Sequence, residues 1–247
     1  MISHLLNGKE NGAPLVRELI EEPLEPHSIR AASQVRIREY RPGDRVTIRR
    51  LCCETGFLGH PVDPIFHDRE LFADLFTNPY LNEEPEWAFV AEAEDGRIVG
   101  YLLGSVRKHF DLVQMRSGFQ TASKMFFRLV TGRYARHPRS RQFVRWLFSA
   151  GFSEQPKHPP DAAHLHLDLE QSYRGRGIAR RLWEIYEERL RAVGVTHCYG
   201  AFFSHPKRRP ELVYARYGFR DFDRRKTTLF QPEISDTVEV VCVHKEL

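Results

Sequence analysis

A strand that alternates apolar and polar residues runs directly into a glycine-rich turn and then into a long amphipathic helix. The strand is AHLHLDLE (163–170), the turn is SYRGRG (172–177), and the helix carries an apolar stripe that ends at Gly194. Strict alternation predicts a strand with two different faces, and apolar residues three to four positions apart predict a helix with one buried face. Such a unit needs a sheet with a helix packed on it, which makes the chain an α/β protein.

The turn between this strand and this helix is suited to bind an anion. A helix N-terminus leaves its first backbone N–H groups without partners and carries about half of a positive charge. Gly175 and Gly177 let the backbone approach a bulky anion, and we expect Arg174 and Arg176 to add positive charge at the rim. The turn matches neither the dinucleotide-binding fingerprint nor the P-loop. We therefore predict a pyrophosphate site of another kind.

The remaining elements predict one mixed sheet. We expect further strands at 35–40, 87–93, 98–106, 198–203, 227–230 and 238–244, and further helices at 44–54, 68–76 and 211–217. Asp95-Gly96 between two apolar runs is a strong hairpin signal. Residues 1–34 are rich in Glu, Pro, Gly and Asn, which predicts a loosely ordered N-terminal extension to one domain over 35–247.

A basic insertion interrupts this pattern at residues 107–160. No acidic residue lies between Asp111 and Glu154, whereas the same stretch holds eight Lys and Arg residues. Its apolar spacing predicts two short amphipathic helices, around Met125 and Phe143. Three roles stay open: a cover over the substrate site, a homodimer contact, or a contact with an anionic surface such as a membrane or single-stranded nucleic acid. We favour the cover or the dimer contact over a membrane or a nucleic acid.

Composition excludes several classes of protein. No apolar run approaches the roughly 20 residues of a membrane span, and the N-terminus lacks the pattern of a signal peptide, so we expect a cytoplasmic protein. The net charge of +4 is too small to indicate nucleic acid by itself. The four cysteines lie in apolar stretches and form no CxxC pair, which predicts buried thiols and no metal site.

Two motifs resemble the GNAT superfamily of acetyl-CoA-dependent N-acetyltransferases. The turn is similar to its [QR]-x-x-G-x-[GA] motif, with Ser172 in place of the first residue, and LVYARYGF (212–219) is similar to its LYxxxGF segment. The resemblance implies the mixed central sheet of the GNAT acyl-CoA acyltransferase fold and acetyl-CoA as cosubstrate. It also implies that Tyr214 lies beside the thioester sulfur and protonates the departing thiolate. The residues expected to bind the cofactor are Leu167, Leu169, Arg174, Gly175, Arg176, Gly177, Ile178 and Ala179.

The segment HLHLDLEQSYRGRGIARRL is similar, more narrowly, to the acetyltransferase-like domains found beside O-GlcNAc hydrolases, some of which are thought to be catalytically silent. Two functions are therefore compared. The first is an N-acetyltransferase that transfers acetyl directly to an amine acceptor, a small molecule. The alternative is an acyl-CoA-binding pseudoacetyltransferase, an interaction module without turnover.

Acetyl transfer to an amine needs a base, and one strand offers candidates. His164, His166 and Asp168 alternate with leucines and therefore share one face of the strand. An imidazole can take a proton from an ammonium group near neutral pH, although a hydrogen-bonded structural network is an equal alternative for each residue. For the acceptor site, the resemblance points to the loop 59–66. There Asp63 could attract a cationic amine or be an ordinary solvated aspartate, and Phe66 is the second candidate.

Overall fold

The computed structural model describes residues 35–247, which form one sheet of seven strands covered by six helices. The expected extension over 1–34 lies outside these residues. In chain order, the elements are β1 Arg36–Glu39, α1 Arg45–Thr55, α2 Arg69–Glu83, β2 Ala88–Glu92, β3 Ile98–Ser105, α3 Phe110–Val130, α4 Pro138–Ser149, β4 Ala163–Leu169, α5 Ile178–Ala192, β5 His197–Ser204, α6 Glu211–Ala215, β6 Arg220–Thr227 and β7 Val238–Glu246.

The strands lie in the order β1-β2-β3-β4-β5-β7-β6. All neighbours are antiparallel except β4 and β5, which are parallel. The β2–β3 hairpin turns at Asp95-Gly96, where Gly96 has φ +80°. This mixed α/β sheet confirms the predicted fold class.

Helices cover the two faces of the sheet unequally. Helices α1 to α4 contribute to one hydrophobic cluster, and α5 and α6 contribute to the other. Helix α5 lies close to the sheet because β3 has no side chain at Gly104, where a Cβ would be 2.3 Å from the ring of Tyr186. The Tyr186 hydroxyl donates a hydrogen bond of 2.9 Å to the carbonyl of His164 and so fixes α5 over β4.

Two helices are longer than the sequence predicts. Helix α2 continues to Glu83 through Pro79, which costs about 3 kcal/mol in a helix interior. Burial of Tyr80 and Leu81 against the sheet offsets that cost. Helix α3 begins at Phe110, well before Met125. In its first half Leu112, Met115 and Phe119 are exposed, so the apolar residues there do not mark the buried face of the helix.

One strand is misplaced in the sequence-based prediction. The strand expected at 227–230 ends at Thr227 and begins at Arg220. Segment RDFDRRKT has a single apolar residue, and it is a strand only because its backbone pairs with β7 at the sheet edge. All four cysteines are buried free thiols, as predicted. Within residues 35–247, no helix combines the length and hydropathy needed to cross a bilayer.

Candidate active site

The parallel strands β4 and β5 separate shortly after they begin to pair. Only three residue pairs join them, of which Leu165 and Gly200 are the last. Beyond this point a cavity of about 1630 Å³ opens, lined by both strands, the glycine turn, and helices from both faces of the sheet. A ligand can therefore reach the middle of the sheet.

Backbone groups of β4 point into this opening. Glu170 donates its N–H to Val99 of β3, and neighbouring residues of a strand direct their N–H groups to opposite sides. The N–H groups of Leu167 and Leu169 therefore point away from β3, toward the side on which β5 has separated. Both leucines line the cavity. The predicted pair of cofactor-binding leucines thus offers hydrogen-bonding groups to a ligand in the cleft.

The glycine turn holds a run of free N–H donors at the same cavity. Gly175 and Gly177 have φ +73° and +77°, and Gly177 caps the N-terminus of α5. Among residues 35–247, no acceptor hydrogen-bonds the N–H groups from Gly175 to Arg180, and the first helical bond runs from Arg181 to Gly177. A Cβ on Gly177 would meet nothing within 4 Å, so the backbone there is open to a ligand. Ile178 and Ala179 also line the cavity.

The two arginines of the turn do not both lie at its rim, as the sequence suggested. Arg174 turns inward, and its guanidinium donates to the carbonyls of Leu169 (3.1 Å) and Gly59 (2.8 Å). Arg176 lies over the ring of Tyr173 at 5.1 Å and does not line the cavity. Backbone carbonyls attract the inner arginine because they satisfy its donors at the end of the strand.

The polar face of β4 lies on the opposite side from α5. His166 Nε2 lies 3.0 Å from Asp168 Oδ2, and the Tyr101 hydroxyl donates a bond of 2.7 Å to the same carboxylate. Burial tends to raise the pKa of Asp168, but the hydrogen bonds and charge of His166 and the bond from Tyr101 lower it below its ordinary value. Asp168 is therefore a carboxylate at neutral pH that can orient the imidazole of His166.

His164 occupies a different environment from His166. Its Nδ1 lies 2.6 Å from the hydroxyl of Tyr80, and its ring packs against Tyr80 and Tyr199. Burial lowers the pKa of His164 to about 3, with further lowering from the nearby histidines, so the ring is neutral in the folded protein. Both histidines line the cavity, but His166 is half-buried whereas His164 is only 7% exposed.

Tyr214 of α6 lines the cavity from the β5 side. Its ring stacks on Phe202 with centroids 5.0 Å apart and meets Phe219 edge-on at 5.3 Å. Burial raises the pKa of Tyr214, and the charge of Asp168 raises it further, so the hydroxyl holds its proton at neutral pH. The structure thus brings Tyr214, His166, Asp168 and the glycine turn to one cavity.

Asp63 and Phe66 are not brought to this cavity. The carboxylate of Asp63 forms an ion pair with Arg69 on the surface, and Phe66 is fully buried, where it stacks on Phe143 at 4.3 Å. Neither side chain faces the opening in the sheet. The loop 59–66 approaches the cavity instead through its glycine, Gly59.

The insertion over 107–160 lines the cavity with both of its helices. Helix α3 contributes Asp111, Gln114 and Met115, and α4 contributes Phe143 and Trp146. The same insertion also exposes large apolar side chains that do not line the cavity, namely Phe119, Phe126, Phe127, Val130 and Phe148. The insertion therefore has one face on the cavity and one face on the solvent.

Sequence reasoning missed two residues at this site. Tyr101 hydrogen-bonds Asp168 because β3 and β4 pair in a register that sets these residues opposite each other. Arg208 lies in the loop after β5 and lines the cavity beside Arg174. No local pattern marks either residue, since both reach the site through pairing or loop geometry across the sheet.

The profile of the Acetyltransferase (GNAT) family matches residues 54–219. Among solved structures, SsHAT is 26% identical, with 86% of this chain and 98% of that chain covered at a TM-score of 0.55. The Drosophila melanogaster polyamine N-acetyltransferase, described as forming N-acetylagmatine, is 16% identical, with 86% and 100% covered and a TM-score of 0.52.

A phosphinothricin acetyltransferase from Sinorhizobium meliloti, solved with acetyl-CoA, is 15% identical, with 87% of this chain and 89% of that chain covered at a TM-score of 0.50. At such identities, the last two likenesses are likenesses of fold. None of these three structures is described as a domain beside an O-GlcNAc hydrolase, so that narrower resemblance stays a prediction.

Proposed function

Because this chain belongs to the acetyltransferase (GNAT) family, whose acetyl donor is acetyl-CoA, we propose that it is an N-acetyltransferase that acts directly on the amine of a small molecule. The observation that carries this proposal is the single cavity that joins the free N–H groups of the glycine turn to His166 and Tyr214. Donor-binding groups and proton-transfer groups lie around one opening in the sheet.

The residues of the cleft suit acetyl-CoA in two ways. The N–H groups from Gly175 to Arg180 and the positive end of α5 favour the pyrophosphate. The outward N–H groups of Leu167 and Leu169 are placed to hydrogen-bond the amide-containing arm, as a neighbouring strand would. Bound acetyl-CoA supplies the thioester carbonyl that the amine attacks.

His166 is proposed as the base, with Asp168 as its positioning residue. The amine forms a bond to the acetyl carbon only with its lone pair free, so the ammonium proton must leave first. Because Nε2 donates to the Asp168 carboxylate 3.0 Å away, the free lone pair of neutral His166 is on Nδ1, which can accept that proton directly or through a water molecule. The same carboxylate stabilises the resulting imidazolium. His164, held neutral against Tyr80, is proposed to hold the strand face in place rather than to exchange protons.

Tyr214 is proposed as the acid. When the carbon–sulfur bond breaks, its electron pair stays on sulfur, and the thiolate takes the phenolic proton of Tyr214. The raised pKa keeps that proton on the hydroxyl until the thiolate forms. No cysteine is proposed to carry the acetyl group, because burial raises the pKa of all four thiols and keeps them protonated.

The test combines turnover with binding. Thiol release from acetyl-CoA is measured against a broad panel of small amines, and acetyl-CoA binding is measured in parallel by calorimetry. The proposal requires micromolar binding and release with at least one amine. If acetyl-CoA binds but no amine of the panel causes thiol release, the result would support the acyl-CoA-binding pseudoacetyltransferase instead.

A further inference from the structure

Two arginines converge on one point of the cavity from opposite edges of the opening in the sheet. Arg174 follows β4 and Arg208 follows β5. A Cβ built on Gly59 would lie 2.8 Å from Arg174 Nη1 and 3.2 Å from Arg208 Nε, and Gly59 has φ +94°. A side chain at position 59 would collide with these nitrogens, so Gly59 lets both guanidinium groups pack against its backbone, and together they form a positively charged recess in the cavity wall.

Both guanidinium groups retain unused donors at this recess. Arg174 bonds the carbonyls of Leu169 and Gly59 through Nε and Nη2, and its Nη1 has no acceptor within the described part of the chain. Arg208 bonds the carbonyl of Phe203 through Nη1, and its Nε and Nη2 have no acceptor there either. The free nitrogens include the two that face the position of a Cβ on Gly59.

No carboxylate neutralises this pair of charges. Among residues 35–247, neither arginine forms an ion pair, and Asp168, whose charge raises the pKa of both, has its carboxylate bonded to His166 and Tyr101. Burial lowers the pKa of both guanidinium groups, and the charge of Arg174 lowers that of Arg208 further. Two adjacent, half-buried cations without a counter-ion are unfavourable, and an anion that bridges them would relieve the cost.

We propose that Arg174 and Arg208 bind an oxyanionic group of the acceptor, a carboxylate or a phosphonate, and that the enzyme therefore prefers amines that carry a negative charge. This inference rests on the proposed N-acetyltransferase function. Guanidinium groups match the geometry of carboxylate and phosphonate oxygens, and two of them can hold the oxygens of one group.

The position of the pair favours the acceptor over the phosphates of acetyl-CoA. Both arginines line the same cavity as His166, Asp168 and Tyr214. The charge of Asp168 raises the pKa of both guanidinium groups, so the pair lies near the groups proposed for proton transfer. The recess also includes the loop between α1 and α2, on the same face of the sheet as His166. The free N–H groups of the turn supply a separate phosphate site.

The test compares matched acceptors in wild type, Arg208→Gln and Arg208→Lys. The pairs are phenylalanine with phenethylamine, and 2-aminoethylphosphonate with propylamine. Wild type should favour the anionic member at least tenfold in kcat/KM. Arg208→Gln should lower kcat/KM for the anionic members by roughly 10- to 100-fold, the range of a lost charge-assisted bond, and for the neutral members by less than threefold. For the anionic members, the kcat/KM of Arg208→Lys should lie between those of wild type and Arg208→Gln.

Arg216→Gln is the matched control, because Arg216 also lines the cavity but is exposed. Its preference for anionic acceptors should equal that of wild type. A preference for neutral amines in wild type, or an equal loss on both members of a pair in Arg208→Gln, would overturn the proposal. A loss of acetyl-CoA affinity in Arg208→Gln with unchanged selectivity would assign the pair to the cofactor phosphates.

A binding measurement keeps the subsite testable if no amine is turned over. With the protein saturated by CoA, inorganic phosphate and phenylalanine are titrated by calorimetry. Wild type should bind both more tightly than Arg208→Gln by at least tenfold, with the variant's melting temperature checked for folding. Binding that the variant retains in full would refute the anion site, whereas the turnover panel alone decides the proposed activity.

Discussion

The glycine turn gives the sharpest test of donor binding, through the substitution Gly177→Val. Gly177 has φ +77° at the start of α5, and an L-residue in this conformation costs about 1–2 kcal/mol of stability. A Cβ there would meet no atom of residues 35–247 within 4 Å, so backbone strain is the main expected effect on folding. The valine side chain would instead project into the space that the pyrophosphate needs.

The loss of affinity follows from the free donors. Hydrogen bonds to a charged group contribute about 1.5–3 kcal/mol each. A valine that pushes the pyrophosphate away from two of the N–H groups between Gly175 and Arg180 removes about 3–6 kcal/mol. Since each 1.4 kcal/mol is tenfold, the Kd of acetyl-CoA should rise roughly 10²- to 10⁴-fold.

Gly194→Val is the matched control for this substitution. Gly194 follows the other end of the same helix, has the same φ of +77°, and also has open space where a Cβ would lie. Both variants should lose similar stability in thermal denaturation, but only Gly177→Val should lose acetyl-CoA binding in calorimetry. If the two variants bind acetyl-CoA within threefold of each other, the turn is not the pyrophosphate site.

Three further predictions concern protons. Tyr214→Phe keeps the stacked ring but removes the acid, so kcat should fall about 100-fold while acetyl-CoA affinity stays constant. Tyr217→Phe is the control, and equal kcat values in the two variants would reject the role of Tyr214. His166→Ala should remove the limb along which kcat/KM rises with pH, and an unchanged profile would make this histidine structural. The pKa of His164 is about 3 in the fold and about 6.5 when unfolded. Stability should therefore fall by up to about 1.4 kcal/mol per pH unit below pH ~6.5. Urea unfolding of His164→Asn should lack this part of the slope, and identical slopes would contradict the argument.

The parts of the fold that the sequence predicts are those with a local cause. The alternation of β4, the Asp95-Gly96 hairpin and the glycine turn each depend on neighbouring residues, and the structure has all three. Strand β6 could not be predicted, because its backbone pairing with β7 rather than its side chains makes it a strand.

The residues of the candidate site also fall into those that a local sequence pattern predicts and those that it does not. The shared face of His166 and Asp168 follows from the period of a strand, and the structure places both at the cavity. The approach of Arg208 to Arg174 depends on two loops that are far apart in the chain and meet only across the sheet. The prediction for Asp63 rests on its charge and on the loop to which the resemblance points, and its ion pair with Arg69 could not be read from spacing.

The separation of β4 from β5 divides this sheet into two halves with little pairing between them. Only the three residue pairs between β4 and β5 join strands β1 to β4 to strands β5 to β7 within the sheet. A donor molecule bound between the two halves of the sheet would hold them together, because it would take the place of the missing strand pairing along Leu167 and Leu169. The amides of these two residues should then exchange with solvent quickly in the free protein and slowly in the loaded one. Donor binding would therefore make the sheet more rigid where it lines the acceptor site.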